Sequence, residues 1–283
     1  MPLHSGSTIR RLDRSDLSSL LSLARESNEG PYDLAAVLDE KIFGPGVSGE
    51  PETLGAFRNG KCVGMAVRCG RFLRLLLVAR DARREGIGSS LLEAVGPCET
   101  VGAEPGNYFT PGVASDDFES TSFFHARGFR PSDRLNIDLV LPLPPREQPG
   151  PLPDATIVIR RAGTHERDAI RRFIEEQFGR AWALEALRAL DHPDPILHVA
   201  GRSGSYVAFA AGDANNHGLG GFGPTGTIRA ARGCGIGSAL LSRVLGELSA
   251  RGYQEAIIPW VAETSMYRRV GAKPAHRFLV YTR

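Results

Sequence analysis

Residues 83–92, RREGIGSSLL, return as RGCGIGSALL at 232–241. Gly86 and Gly88 thus recur as Gly235 and Gly237, 149 positions on (235 − 86). A second pair keeps nearly the same interval: TIRRLDRSDL begins at Thr8 and VIRRAGTHER at Val158, matching Arg10 to Arg160 at 150 (160 − 10). Two separate anchors at one interval are what an internal duplication leaves behind. The chain is therefore expected to fold as two similar units, and 283 residues suffice for two domains of about 100–200 residues each. Between them lies PLPPREQPGPLP, with six prolines in the twelve residues 142–153. Proline cannot continue a helix or a central strand, so this stretch is expected to be a stiff, extended spacer. The expected domains are 1–143 and 155–283, with a linker at 144–154.

Both halves then read in the same order. STIRRL and TIVIRRA are short β-branched strands. DRSDLSSLLSLARES places Leu17, Leu20, Leu21 and Ala24 on one helical face, with Asp13 or Ser15 as cap. THERDAIRRFIEEQF does the same with Ile170, Phe173, Ile174 and Phe178. Hairpins follow, turning at Asn59-Gly60 and near Ser203-Gly204. A third strand, FLRLLLVA or GGFGPTGT, runs straight into the repeated turn, after which the period is helical, closing at Gly252 in the second half. NYFTPGV with FESTSFFHARGF, and EAIIPWV with TSMYRRVGA, give a further strand and helix. RLNIDLVLPL and HRFLVYTR give a last strand. The expected class is α/β or α+β, a mixed and mostly antiparallel sheet with flanking helices in each half.

A strand ending in Arg-x-x-Gly-x-Gly with a helix starting at once builds an anion site. The glycines leave backbone N–H groups uncovered, successive N–H groups converge as a nest, and the helix terminus adds about half a positive charge. Arg83 and Arg84, or Arg229 and Arg232, add formal charge, so a pyrophosphate is the natural guest. A dinucleotide fingerprint needs a third small residue where Leu91 and Leu240 stand, and no Gly-Lys-Ser/Thr of a triphosphatase follows. The formal charge of +2 is too mild to point to nucleic acid. Cys62, Cys69, Cys98 and Cys234 have neither zinc nor disulfide-framework spacing, so no metal is expected. MPLHSGSTIRRL lacks the apolar core of a secretion signal, and no run reaches the roughly 18 apolar residues of a membrane span. A cytoplasmic chain is expected; its oligomeric state is not readable.

These residues resemble the GNAT superfamily of N-acetyltransferases. VARDARREGIGSSLL (78–92) and TIRAARGCGIGSALL (227–241) look like that family's coenzyme A motif, and the order of elements agrees over both halves. The whole resembles a tandem GNAT, a layout like that of mycothiol synthase. The resemblance implies acetyl-CoA as co-substrate, its pantetheine arm lying against a splayed strand at Leu76, Leu77 and Val78, or at Thr225, Gly226 and Thr227. It implies that the pyrophosphate sits on Arg83, Arg84, Gly86, Ile87, Gly88 and Ser89, or on Arg232, Gly233, Gly235, Ile236, Gly237 and Ser238. It further implies direct attack by an amine of a small molecule or peptide, with a Tyr in Y-x-x-x-G protonating the thiolate. Tyr267 stands four residues before Gly271, whereas Phe124 holds that place before Gly128. A phenol donates a proton and phenylalanine cannot, so the second half is expected to be the catalytic one.

No carboxylate lies on GGFGPTGT or FLRLLLVA. Glu263, Asp213 and His217 are the remaining candidates for a base, with Glu263 carried as a second catalytic candidate. Trp260 is a candidate for the acceptor pocket. The rival expectation is a non-catalytic acyl-CoA-binding sensor or scaffold.

Overall fold

The computed structural model describes residues 6–145, 154–261 and 265–283. Contacts divide the chain into two units, Met1–Asn136 with Arg277–Arg283, and Ile137–His276.

In the first unit, β1 (Ser7–Arg11) leads into α1 (Leu17–Ser27) and α2 (Leu34–Phe43). β2 (Glu52–Arg58), β3 (Lys61–Cys69) and β4 (Phe72–Val78) follow as an antiparallel meander beside β1. Asn59 and Gly60, at φ +50° and +78°, make the two-residue turn that matches strand twist. Then come α3 (Ile87–Ala94), β5 (Thr100–Val101), β6 (Val113–Ala114), α4 (Phe118–His125) and β7 (Arg130–Pro142).

The second unit repeats the plan. β8 (Ile157–Arg161), α5 (Arg167–Phe178) and α6 (Arg180–Arg188) precede β9 (Ile196–Arg202), β10 (Ser205–Gly212) and β11 (Phe222–Thr227). The sheet order is β11-β10-β9-β8, all antiparallel. α7 (Ile236–Ala250), β12 (Glu255–Val261), α8 (Ser265–Arg269) and β13 (Lys273–Thr282) complete the chain. Ser203 and Gly204, at φ +52° and +80°, form the counterpart of the Asn59-Gly60 turn.

Alternation sorts the side chains of this sheet. Ile196 and Ala200 of β9 join the cluster packed on Ile236, Leu240, Val244 and Leu248 of α7. Leu197 and Val199, pointing to the opposite face, join Ile170, Ile174 and Leu187 of α5 and α6. Each Ile, Leu or Val side chain so buried contributes roughly 1.5–3 kcal/mol.

The recurring arginine after the first strand has a structural use in both units. Arg10 grips Asp16 at 2.6 and 2.8 Å, and Arg160 grips Glu166 at 2.6 and 2.7 Å, six residues on in each case. The carboxylate also accepts a backbone N–H at the helix entrance, from Asp13 or Gly163. That fork ties strand to helix.

The units do not coincide with segments 1–143 and 155–283. Residues 137–142 of β7 pair with β12, and Leu139 and Leu141 enter the core on α7. The last residues of β13 pair instead with β5 and β6, burying Phe278 and Tyr281 in the first unit. Backbone pairing and apolar burial, rather than proline content, set where the units divide. Most of the proline-rich segment, 146–153, lies outside the described residues.

Candidate active site

In both units the strand before the glycine turn parts from its parallel neighbour. β4 pairs with β5 only at Phe72–Thr100 and Leu73–Val101, followed by Gly102 N–H to Leu73 carbonyl at 2.9 Å. Gly221, just before β11, makes a single bridge to Ile257 of β12. Beyond those points Leu75–Val78 and Phe222–Thr227 bond on one edge only, to β3 and β10. Each splayed strand also bulges. Arg74 is the unpaired extra residue on β4, and Gly223 and Pro224 stand where the register slips on β11. Free peptide groups therefore line a wedge open toward the glycine turn, which suits a slender amide-bearing arm.

The glycine turns are built alike. Gly86 and Gly235 cap α3 and α7 at φ +85° and +76°, a conformation glycine adopts without strain. Arg83 Nε donates to Val78 carbonyl at 3.4 Å, and Arg232 Nε to Thr227 carbonyl at 3.1 Å. Ile87 and Ile236 are fully buried, so what they offer a ligand is the peptide and not the side chain.

In the first unit all the expected residues, Leu76, Leu77, Val78, Arg83, Arg84, Gly86, Ile87, Gly88 and Ser89, border one cavity of about 600 Å3. Its apolar lining includes Leu73, Leu75, Val101, Val113, Phe109 and Phe278. Phe124 packs edge-on against Phe123 and Phe129, so no phenol stands at the tyrosine position. The bulge residue Arg74 is buried and bidentate on Glu104, at 2.5 and 3.0 Å, and donates to the carbonyls of Lys41 and Gly44. This pair holds the bulge. Removing one partner of a buried pair leaves an uncompensated charge, at a cost of about 3–5 kcal/mol.

In the second unit Thr225, Gly226 and Thr227 lie on β11, and Thr225 Oγ1 donates to Phe209 carbonyl at 3.0 Å. Arg232, Gly233, Gly235, Ile236, Gly237 and Ser238 follow at the head of α7. α8 closes over this turn. Met266 Sδ stands against Gly237, and the Tyr267 ring meets Phe222 of β11 edge-on, centroids 6.0 Å apart. Burial pushes the Tyr267 phenol up to about 12. It therefore stays protonated at neutral pH. On the opposite face of β11, Phe178 lies flat on Gly226, where a Cβ would come within 2.6 Å of the ring, and Trp182 stacks outside it at 5.8 Å.

The other candidates are placed differently. Asp213 is buried and accepts the N–H groups of Gly218 and Gly220 and the Tyr253 hydroxyl, with His217 at 3.3 Å, so it shapes the loop entering β11. Trp260 sits at φ +53° in a β12 bulge, its N–H donated to Asp138 at 2.7 Å. Glu263 lies outside the described residues. Among the described residues no cluster of His, Cys, Asp and Glu could hold a metal, and no helix is long and apolar enough to cross a membrane. Reading the sequence missed Arg127, Glu29 and Glu119, which reach the first unit's cavity from other elements, and the seating of Phe178 on Gly226.

Known proteins agree with this architecture. Residues 26–138 match a family model described as an acetyltransferase (GNAT) domain, and residues 165–272 one described as the acetyltransferase (GNAT) family. No curated protein matches the sequence. Among solved structures, the fold resembles a GCN5-related glucosamine N-acetyltransferase region of a fungal multi-domain GH3 β-N-acetylglucosaminidase. That likeness has a TM-score of 0.76 at 19% identity, covering 99% of this chain and 38% of that one. A GCN5-related N-acetyltransferase from Sphaerobacter thermophilus gives 0.67 at 22%, covering 100% and 96%. A tandem GNAT protein from the clavulanic acid biosynthesis pathway gives 0.69 at 18%, covering 98% of each chain. Splayed strands, duplicated glycine turns and two matched segments lead to one assignment: the chain belongs to the GNAT acetyltransferases and carries two of their domains in tandem.

Proposed function

We propose that the second unit transfers an acetyl group from acetyl-CoA to a primary amine of a small molecule or peptide, with Tyr267 as proton donor. The first unit, in the same reading, binds acyl-CoA without efficient turnover. The carrying observation is one position in two copies: Tyr267 packs against the splayed β11, while its counterpart Phe124 has no proton to give.

The amine nitrogen forms a bond to the thioester carbonyl carbon, and a free N–H of Thr225–Thr227 stabilises the resulting oxyanion. Preorganised donors are worth most at that point. The adduct collapses with cleavage of the C–S bond, and the thiolate takes the phenolic proton of Tyr267. The proton lost by the nitrogen goes to water, and solvent returns one to the tyrosinate. A neutral amine needs no strong base, which accords with wedges free of carboxylates on their strands.

The test is thiol release from acetyl-CoA with a panel of amines. Glucosamine belongs in that panel, because one similar structure is a glucosamine N-acetyltransferase region. Release abolished or strongly slowed by Tyr267→Phe is the expected result. Binding of acetyl-CoA with no release across the panel would support the sensor reading instead.

A further inference from the structure

The two glycine turns differ in what surrounds their arginines. In the first unit Arg83 is already satisfied: Nη1 meets Glu29 at 2.8 Å and Glu119 at 2.9 Å, Nη2 donates to Ser27 carbonyl and Nε to Val78 carbonyl. An incoming diphosphate there would face two carboxylates in contact with the same guanidinium. Arg232, in the second unit, meets no carboxylate among the described residues.

Arg127, just past α4, fills that gap from another direction. Its guanidinium lies 3.5 Å above the Phe123 ring, Nη1 donates to Phe123 carbonyl at 2.8 Å, and Nη2 donates to the Ser89 hydroxyl inside the turn. Phe123 is seated in turn by Gly88, where an added Cβ would lie 3.2 Å from the ring. The assembly borders the cavity together with Arg84. Neither Arg84 nor Arg127 pairs with a carboxylate among the described residues. Burial, then the charge of Arg84, pull the Arg127 guanidinium below its ordinary value. Arg84 itself is held at φ +67°, where the second turn uses Gly233 at φ +80°. A non-glycine residue kept in that region costs on the order of 1 kcal/mol, and such strain gathers at binding sites. The second unit has Met266 and Val270 in the places of Phe123 and Arg127.

We infer that in the first unit the diphosphate of a coenzyme A-type nucleotide is gripped by Arg127 and Arg84. Arg83, the residue the repeated turn singles out, instead ties the segment after α1 to α4. A stacked, planar guanidinium is preorganised for two-point bonding to phosphate. This inference rests on the reading of the first unit as a coenzyme site.

Calorimetric titration of the full chain with coenzyme A tests both, and Ser89→Glu identifies the first-unit site by placing a carboxylate in its turn. If Ser89→Glu leaves the number of sites unchanged, the reading of the first unit falls, and this inference with it. If one site is lost, the arginines decide. Arg127→Gln is expected to weaken that site about 10–100-fold, the range for hydrogen bonds to charged groups. Arg83→Gln is expected to weaken it less than about threefold, a loss of under roughly 0.7 kcal/mol. Pantetheine, which lacks the diphosphate, should bind the Arg127→Gln chain as it binds the wild type. Circular dichroism checks folding, and Arg127→Lys, which keeps the charge without the planar fork, replaces Arg127→Gln if the latter unfolds. An unchanged site in the Arg127 variant, or equal losses at Arg83 and Arg127, overturns the assignment.

Discussion

Burial alone raises the Tyr267 phenol from its ordinary value to about 12, which has a definite kinetic consequence. The acid form, the one required by the proposed role as proton donor, is complete below that pH and is lost only as pH rises through it. The rate of the Tyr267-dependent step is therefore expected to show no alkaline fall between pH 8 and about 10, where an ordinary tyrosine titrates. Replacing Tyr267 with Phe should lower kcat by about 100-fold, within the usual range for a general acid, with the KM for acetyl-CoA nearly unchanged. Steady-state thiol release across pH checks both statements. An unchanged kcat, with only KM raised or the melting temperature lowered, would mark Tyr267 as a packing residue. Gly226 sets a second constraint at this scale. With the Phe178 ring already pressed on it, Gly226→Ala is expected to cost about 1–3 kcal/mol, read as a lowered melting temperature.

Among elements, the strand-to-helix fork of the second unit carries a pH signature. Glu166, held by Arg160, with the Gly163 N–H and the Tyr206 hydroxyl assisting, lies at about 2 against an ordinary 4.5. A carboxylate so depressed contributes stability that is complete above pH 4.5 and drains away as pH falls toward 2. Glu166→Gln should lose about 1–2 kcal/mol at neutral pH, as for hydrogen bonds to a charged group. Its melting temperature should also change less than that of the wild type between pH 5 and 3. Denaturation at several pH values tests this. The same fork shows what a single sequence makes legible. The interval between Arg10 and Arg160 revealed duplication, and the strand, helix and hairpin positions followed from period and turn residues. Nothing in the string showed that the arginine serves the fold and not the ligand, because its partner six residues on acquires meaning only once the chain turns. Likewise Arg83 reads as a phosphate ligand beside its glycines, yet Glu29 and Glu119 arrive from two other helices' ends. Arg127 comes from a third place for the same reason.

For the whole molecule, the termini of the units matter more than their repeat. Phe278 and Tyr281 are buried in the first unit, and Leu279 and Thr282 pair with Val113 and Thr100. Losing a buried aromatic side chain typically costs about 3–5 kcal/mol, and a domain has only about 5–15 to lose. A chain ended at His276 is therefore expected to lose ordered structure in residues 7–136 while residues 157–261 stay protected. Limited proteolysis followed by mass spectrometry distinguishes this from uniform unfolding. Protection of both regions would show the final seven residues to be dispensable. The sequence could not reveal this exchange, since HRFLVYTR reads as a strand whichever sheet receives it.

Because Ile137–Pro142 and Arg277–Arg283 each serve the unit other than the half that encodes them, the second unit, Ile137–His276, is encoded as an insertion between two pieces of the first. A recombination event in the proline-rich stretch would leave each unit short of a β-segment and burdened with one that belongs to the other. Inheritance therefore treats the pair as indivisible, and drift at either glycine turn accumulates inside one lineage instead of being shuffled between partners.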